Sequence, residues 1–252
     1  MTRHRLPLLA LLLALGPLAA VAGAIRKFDT AHLEALGRAI YDQDKRVAIA
    51  TDMMLESYNP EEEGIRGWVV EGDRDAMLVR FVRETGDGAE AVLDARFDDT
   101  LLPVISEPKD RALTDAQLAQ LAARNVALGH IAHPCSERYN SIVLPDPERG
   151  GMLVYALAAT EESGSVLAGG HYRFTVSGDG HRLGGVDALS DGCTKLPKQA
   201  AGQRVVVKSI AATPLETHVF LNLLHKTPLY VATTDKRLWK IENGRMSVVE
   251  GK

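Results

Sequence analysis

From Tyr139 to Val249 the chain is a succession of short apolar runs cut by turn chemistry, and nothing else in it constrains the fold as strongly. The separators are Arg149-Gly150-Gly151, Gly178-Asp179-Gly180, Asp235-Lys236 and Asn243-Gly244. Glycine, asparagine and aspartate tolerate the left-handed backbone that tight reversals demand. Connections this short join antiparallel neighbours, because parallel strands need a long crossover. The spacing predicts strands at 141–144, 152–158, 170–177, 182–187, 204–210, 217–223, 229–233, 238–242 and 246–249. Asn243-Gly244 between two apolar runs is the firmest hairpin signal.

Upstream the periodicity is mixed. Thr30 is placed to cap a helix carrying Leu33, Leu36 and Ile40 at helical spacing. The pattern extends through Val47, Met54 and Leu55, as one long helix or two short ones, and Asn59-Pro60 stops it. Glu61, Glu62 and Glu63 read as a solvated acidic loop. Strand-like runs at 68–71, 77–82 and 89–97 are joined by short turns and predict an antiparallel meander. A second helix is expected from Thr114, where Thr114-x-x-Gln117 fits a capping box, with Leu118, Leu121, Val126 and Leu128 as its apolar stripe. Gly129 ends it. The fold class is therefore α+β: an N-terminal helix, a three-strand meander, a second helix, then a long and mostly antiparallel β array. Residues 25–252 are expected to form one domain, with a possible division into 25–110 and 134–252.

The first residues serve a different purpose. Met1 to Arg5 is basic, residues 6–21 are leucine-rich, and Ala22-Gly23-Ala24 is a small-x-small cleavage site. These are the three regions of a secretory signal peptide over residues 1–24. The apolar run is short for a membrane span. Ile25 follows the cut, where a lipoprotein would need a cysteine, so a periplasmic or secreted protein is expected, with no membrane anchor. Losing Arg3 and Arg5 takes the formal charge from −4 to −6, which excludes the basic footprint of a nucleic-acid binder.

Export gives meaning to the two cysteines, Cys135 and Cys193. In an oxidising compartment two thiols normally pair. Metal ligation is the alternative, since His130 and His133 lie close to Cys135. That pair has i, i+3 spacing and lacks the glutamate of a helical metal motif, so no metal is expected. No cofactor is implied either: Gly169-Gly170 precedes a strand, whereas a phosphate loop precedes a helix.

Several blocks occur together: Cys135-Ser136-Glu137-Arg138-Tyr139-Asn140; Leu153-Val154-Tyr155-Ala156-Leu157-Ala158-Ala159-Thr160; Gly169-Gly170-His171-Tyr172-Arg173-Phe174; Pro214-Leu215-Glu216-Thr217-His218-Val219-Phe220; and Pro228-Leu229-Tyr230-Val231 before Leu238-Trp239. In these the chain resembles a family of uncharacterised secreted proteins of Gram-negative bacteria, mainly over residues 135–245. The resemblance implies export and a shared β-rich fold. It supplies no activity to carry over.

Strand alternation places His171 and Arg173 on one face of the run 170–177, and Glu216 and His218 on one face of the run 216–223. If the two runs are sheet neighbours, the four residues converge. Arg173 could then hold an anion, and a histidine beside a carboxylate could do acid–base work. Otherwise they are cross-strand polar pairs on a wet sheet face. Gly-x-Ser-x-Gly is absent as a nucleophile elbow. Trp68 and Trp239 read as sheet packing. The expected function is a non-enzymatic envelope module, monomeric, that binds a protein partner or a small ligand. The alternative is a secreted hydrolase with its site at His171, Arg173, Glu216 and His218.

Overall fold

The computed structural model describes residues 25–86, 88–160, 164–197 and 203–250. The proposed leader lies outside them. Helix α1, Thr30–Leu55, is one continuous 26-residue rod. At 1.5 Å per residue it is about 39 Å long. Its cap is Asp29 and not Thr30: the Asp29 carboxylate accepts from the His32 N–H at 2.8 Å.

The rod serves two cores. Its second half gives Val47, Ala50 and Met54 to a cluster with Val79, Phe81 and Leu93. These belong to an antiparallel sheet of β1 (Ile65–Glu71), β2 (Leu78–Thr85), β3 (Gly88–Arg96) and β4 (Val104–Ser106), ordered as in the chain. This is the expected meander with a short fourth strand added. Helix α2, Asp115–Leu128, begins with the expected capping box. It buries Ala123 and Ala127, while Leu118 of the anticipated stripe is 41% exposed. The small side chains let α2 approach a sheet face already filled by Tyr172 and Phe174.

That sheet holds β5 (Tyr139–Pro145), β6 (Met152–Ala158), β8 (Tyr172–Val176) and β9 (Leu183–Ala188), all antiparallel. Its opposite face presents Ile142, Leu153, Tyr155 and Leu157 to the first half of α1 and to a third helix, α3 (Glu216–His225). A helix covers each face, so both sets of alternating residues are buried. Two three-residue strands, β7 (Ser165–Leu167) and β10 (Lys195–Pro197), form a separate antiparallel pair. The Cys135–Cys193 disulfide forms beside it, with Cα atoms 5.3 Å apart. The metal alternative for Cys135 falls away with it.

The last sheet overturns one expectation. The run 217–223 is not a strand; it lies inside α3. Helix α3 is the crossover between β11 (Val205–Lys208) and β12 (Leu229–Ala232), which pair in parallel. Residues Glu216 to Asn222 are buried all round, and a segment with no wet face has no informative period. Parallel pairing requires such a crossover. Strands β13 (Leu238–Glu242) and β14 (Arg245–Val248) complete the sheet as the expected hairpin, with Asn243 and Gly244 both at positive φ.

α1 and α3 cross at Gly37. A Cβ there would lie 2.5 Å from Val219 Cβ and 2.6 Å from the Glu216 carbonyl oxygen. The final hairpin then clasps α1. Glu34 accepts from the Met246 N–H at 2.8 Å and from Arg245 at 2.9 Å. Arg38 donates to the carbonyls of Asn243 at 3.1 Å and Gly244 at 2.7 Å.

Candidate functional site

Strand register sets out a row of polar side chains across the α1/α3 face of the second sheet. Tyr155 on β6 stands opposite Arg173 on β8, which stands opposite Asp187 on β9. Glu216, the first residue of α3, comes down on this row. Arg173 donates through Nη1 to Glu216 Oε1, and through Nε and Nη2 to Asp187 Oδ2 at 3.0 and 2.7 Å. The Tyr155 hydroxyl donates to the same Glu216 oxygen at 3.0 Å.

The segment before α1 closes the row. Arg173 Nη2 donates to the Arg26 carbonyl at 2.6 Å, and the Arg26 N–H donates to Asp187 at 3.2 Å. The Phe28 ring lies 4.8 Å from the Arg173 guanidinium, close enough for a cation–π contact. The Arg26 side chain is held by Asp146 and Glu148. Burial alone would raise the Asp146 carboxyl. Arg26 and the N–H groups of Glu148 and Arg149 outweigh it and hold the group at about 2.

Of the sequence-predicted residues Arg173 and Glu216 pair directly and His171 lies close enough to depress His218, with Glu216 and His218 arriving on a helix. They meet inside the core: His171 is 3% exposed, Arg173 0%, Glu216 0% and His218 4%. His171 Nδ1 accepts from the Ala158 N–H at 3.1 Å, and His218 Nδ1 accepts from the Leu215 N–H at 2.9 Å. An accepting Nδ1 leaves the proton of a neutral ring on Nε2. Burial pushes both imidazoles down to about 4, and the His171 ring depresses His218 further. Both are neutral at pH 7. Burial also pulls the Arg173 guanidinium down, but Glu216, Tyr155 and Asp187 together drive it above its ordinary value. Tyr155 is pushed well up by burial and by the Glu216 charge. The cluster is a buried ion pair with neutral neighbours, sealed from water, in which Glu216 Oε2 and His171 Nε2 find no partner among the described residues.

A cleft open to solvent lies elsewhere. Where the two cores diverge along α1, a cleft of about 620 Å³ opens between the halves of the molecule. Its walls are the α1 stripe of Arg38, Ala39, Asp42 and Gln43, the end of β1 with its turn (Val70 to Arg74), Gln120 of α2, and Val143 to Pro145 of β5. A ligand pocket is typically about 300–1,000 Å³. Gln43 is 6% exposed, and its Oε1 accepts no hydrogen bond from a described residue. Gln120 accepts from the Val70 N–H at 3.2 Å. No local motif marks these residues: they come from four elements spread over 110 positions. Of the sealed cluster, Tyr155 and Asp187 were findable from period-2 alternation once the strands were aligned; Arg26 was not.

His130 donates from Nδ1 to the Val126 carbonyl at 2.6 Å and so closes the end of α2. No helix among the described residues is long and apolar enough to cross a membrane. Comparison with known proteins gives no likeness: no family model, no curated protein and no solved structure matches the chain.

Proposed function

We propose that the chain is an exported, non-enzymatic binding module whose ligand enters the cleft between α1, the β1–β2 turn and β5. The observation that carries this reading is the placement of polar groups. The cluster that could do acid–base chemistry is inside the core, and the cleft with room for a ligand holds no histidine or cysteine. A general base must come within hydrogen-bond reach of the proton it takes. His171 and His218 have no open face from which to do so. Export is supported by the composition of residues 1–24, by the disulfide, and by the resemblance to secreted proteins of Gram-negative bacteria.

The test uses the full chain expressed in a Gram-negative host. The expected product outside the cytoplasm starts at Ile25 and carries no free thiol. Its melting temperature rises with at least one class in a panel of amino acids, peptides, saccharides and nucleotides. Ala39→Trp, which fills the cleft from α1, abolishes that rise. An uncleaved cytoplasmic product refutes export. A ligand shift that survives Ala39→Trp refutes the cleft, and turnover of a hydrolase substrate lost on His171→Ala refutes the non-enzymatic assignment.

A further inference from the structure

We propose, building on the binding-module reading, that the ligand is an extended peptide segment, seated as an added strand between the free edges of β1 and β5. Three observations lead there. First, β1 and β5 are each the terminal strand of their sheet: the orders are β1-β2-β3-β4 and β5-β6-β8-β9. Among the described residues each has a strand partner on one side only. An edge strand presents unpaired N–H and C=O groups, which are a template for another strand.

Second, both strands reach the cleft at their C-terminal ends. Side chains alternate along a strand, so a strand that faces a cavity with one face lines it with every second residue. Here Val143, Leu144 and Pro145 line it consecutively, as do Val70 and Glu71 leading into the turn. Consecutive lining means that the cleft meets these strands at an edge or an end and not through one sheet face. At the β1 edge Gln120 supplies a side-chain oxygen to the Val70 N–H, the place that a carbonyl of an added strand would take.

Third, the floor carries a polar group that lacks a partner. Gln43 is nine-tenths buried and its Oε1 is unbonded among described residues. The two ends of a primary amide match in size, so a half-turn presents either the acceptor or the donor. A peptide group offers both complements. Arg74 on the rim meets no carboxylate among the described residues, while Arg38 is held by the final hairpin, and Asp42, Glu71 and Asp73 supply the opposite sign. A rim of both signs suits a chain with an ammonium at one end and a carboxylate at the other. It suits neither a polyanion nor a polycation.

The experiment is native mass spectrometry of the disulfide-intact protein with a pool of random-sequence tetrapeptides. Parallel arms use the same pool acetylated and amidated, the same pool N-methylated along its backbone, and a mixture of amino acids, saccharides and nucleotides. Peptide adducts are expected. N-methylation, which removes the strand-forming N–H groups, should weaken them at least tenfold. Gln43→Leu should weaken them to a similar degree, and Ala39→Trp should abolish them. Capped and uncapped pools binding equally identifies a segment within a larger protein as the source. Uncapped binding alone identifies free short peptides read by their termini. N-methylated peptides binding as well as the parent pool overturn the proposal. Adducts from the non-peptide mixture alone, lost on Ala39→Trp, overturn it and leave the binding module standing. No adduct in any arm overturns both.

Discussion

The sealed Arg173–Glu216 pair permits a quantitative test of what holds the centre of this fold. Both side chains are 0% exposed, so each charge depends on protein groups for its solvation. Removing one partner of a buried pair typically costs about 3–5 kcal/mol, because the other is left without compensation. Glu216→Gln keeps the shape and removes the charge. Asp187 still holds Arg173 through two hydrogen bonds, which places the loss at the lower end, about 3 kcal/mol. Arg173→Met leaves Glu216 and Asp187 without their cation, so the upper end, about 5 kcal/mol, is expected. The double variant Arg173→Met/Glu216→Gln removes both charges of the pair and should be milder than the sum, with a coupling of at least about 2 kcal/mol. The assay is urea unfolding at pH 7, read from midpoints at constant slope. A Glu216→Gln protein within 0.5 kcal/mol of the parent, or a double variant equal to the sum of the singles, would refute the reasoning.

Two further outcomes are expected. Both imidazoles are neutral in the fold and held near 4 by burial, whereas the unfolded chain binds protons through its ordinary value near 6.5. Their contribution is therefore complete above pH 6.5 and lost as the pH falls to about 4, by up to roughly 3 kcal/mol per ring. Urea midpoints measured from pH 7.5 to 4 should fall across that window and flatten in a His171→Asn/His218→Gln variant; a flat parent profile contradicts it. The disulfide closes a separation of 58 residues, which in the chain-entropy model contributes about 4 kcal/mol. Cys135→Ala/Cys193→Ala should lower the midpoint accordingly and remove its sensitivity to reductant, and an unchanged midpoint would show that β7 and β10 need no clamp.

Local rules recovered the elements that local rules build. The capping box at Thr114, the Asn243-Gly244 hairpin and the glycine-bounded meander each depend on residues within a few positions of one another. The α3 segment was misread for a physical reason. Periodicity reports the difference between a wet and a dry face, and α3 has almost no wet face over Glu216 to Asn222. Only the parallel pairing of Val205–Lys208 with Leu229–Ala232 dictates the helix, and that pairing is non-local. Alternation did place His171 and Arg173 on the same face correctly, but it carried no depth, so a polar row read as wet proved to be sealed under α3 and the Arg26 segment. The cleft was invisible because it is a property of where two cores part, and Gln43 in isolation is one more helical glutamine.

The clasp between α1 and the final hairpin carries a consequence for the order of events at synthesis. Glu34 and Arg38 wait for Asn243, Gly244, Arg245 and Met246, partners separated by 205 to 212 positions. Among the described helices α1 is the first to be synthesised, yet its clasp must wait for the final hairpin, and contacts of such long sequence range slow folding. The growing chain cannot complete its native state until Met246 has been made.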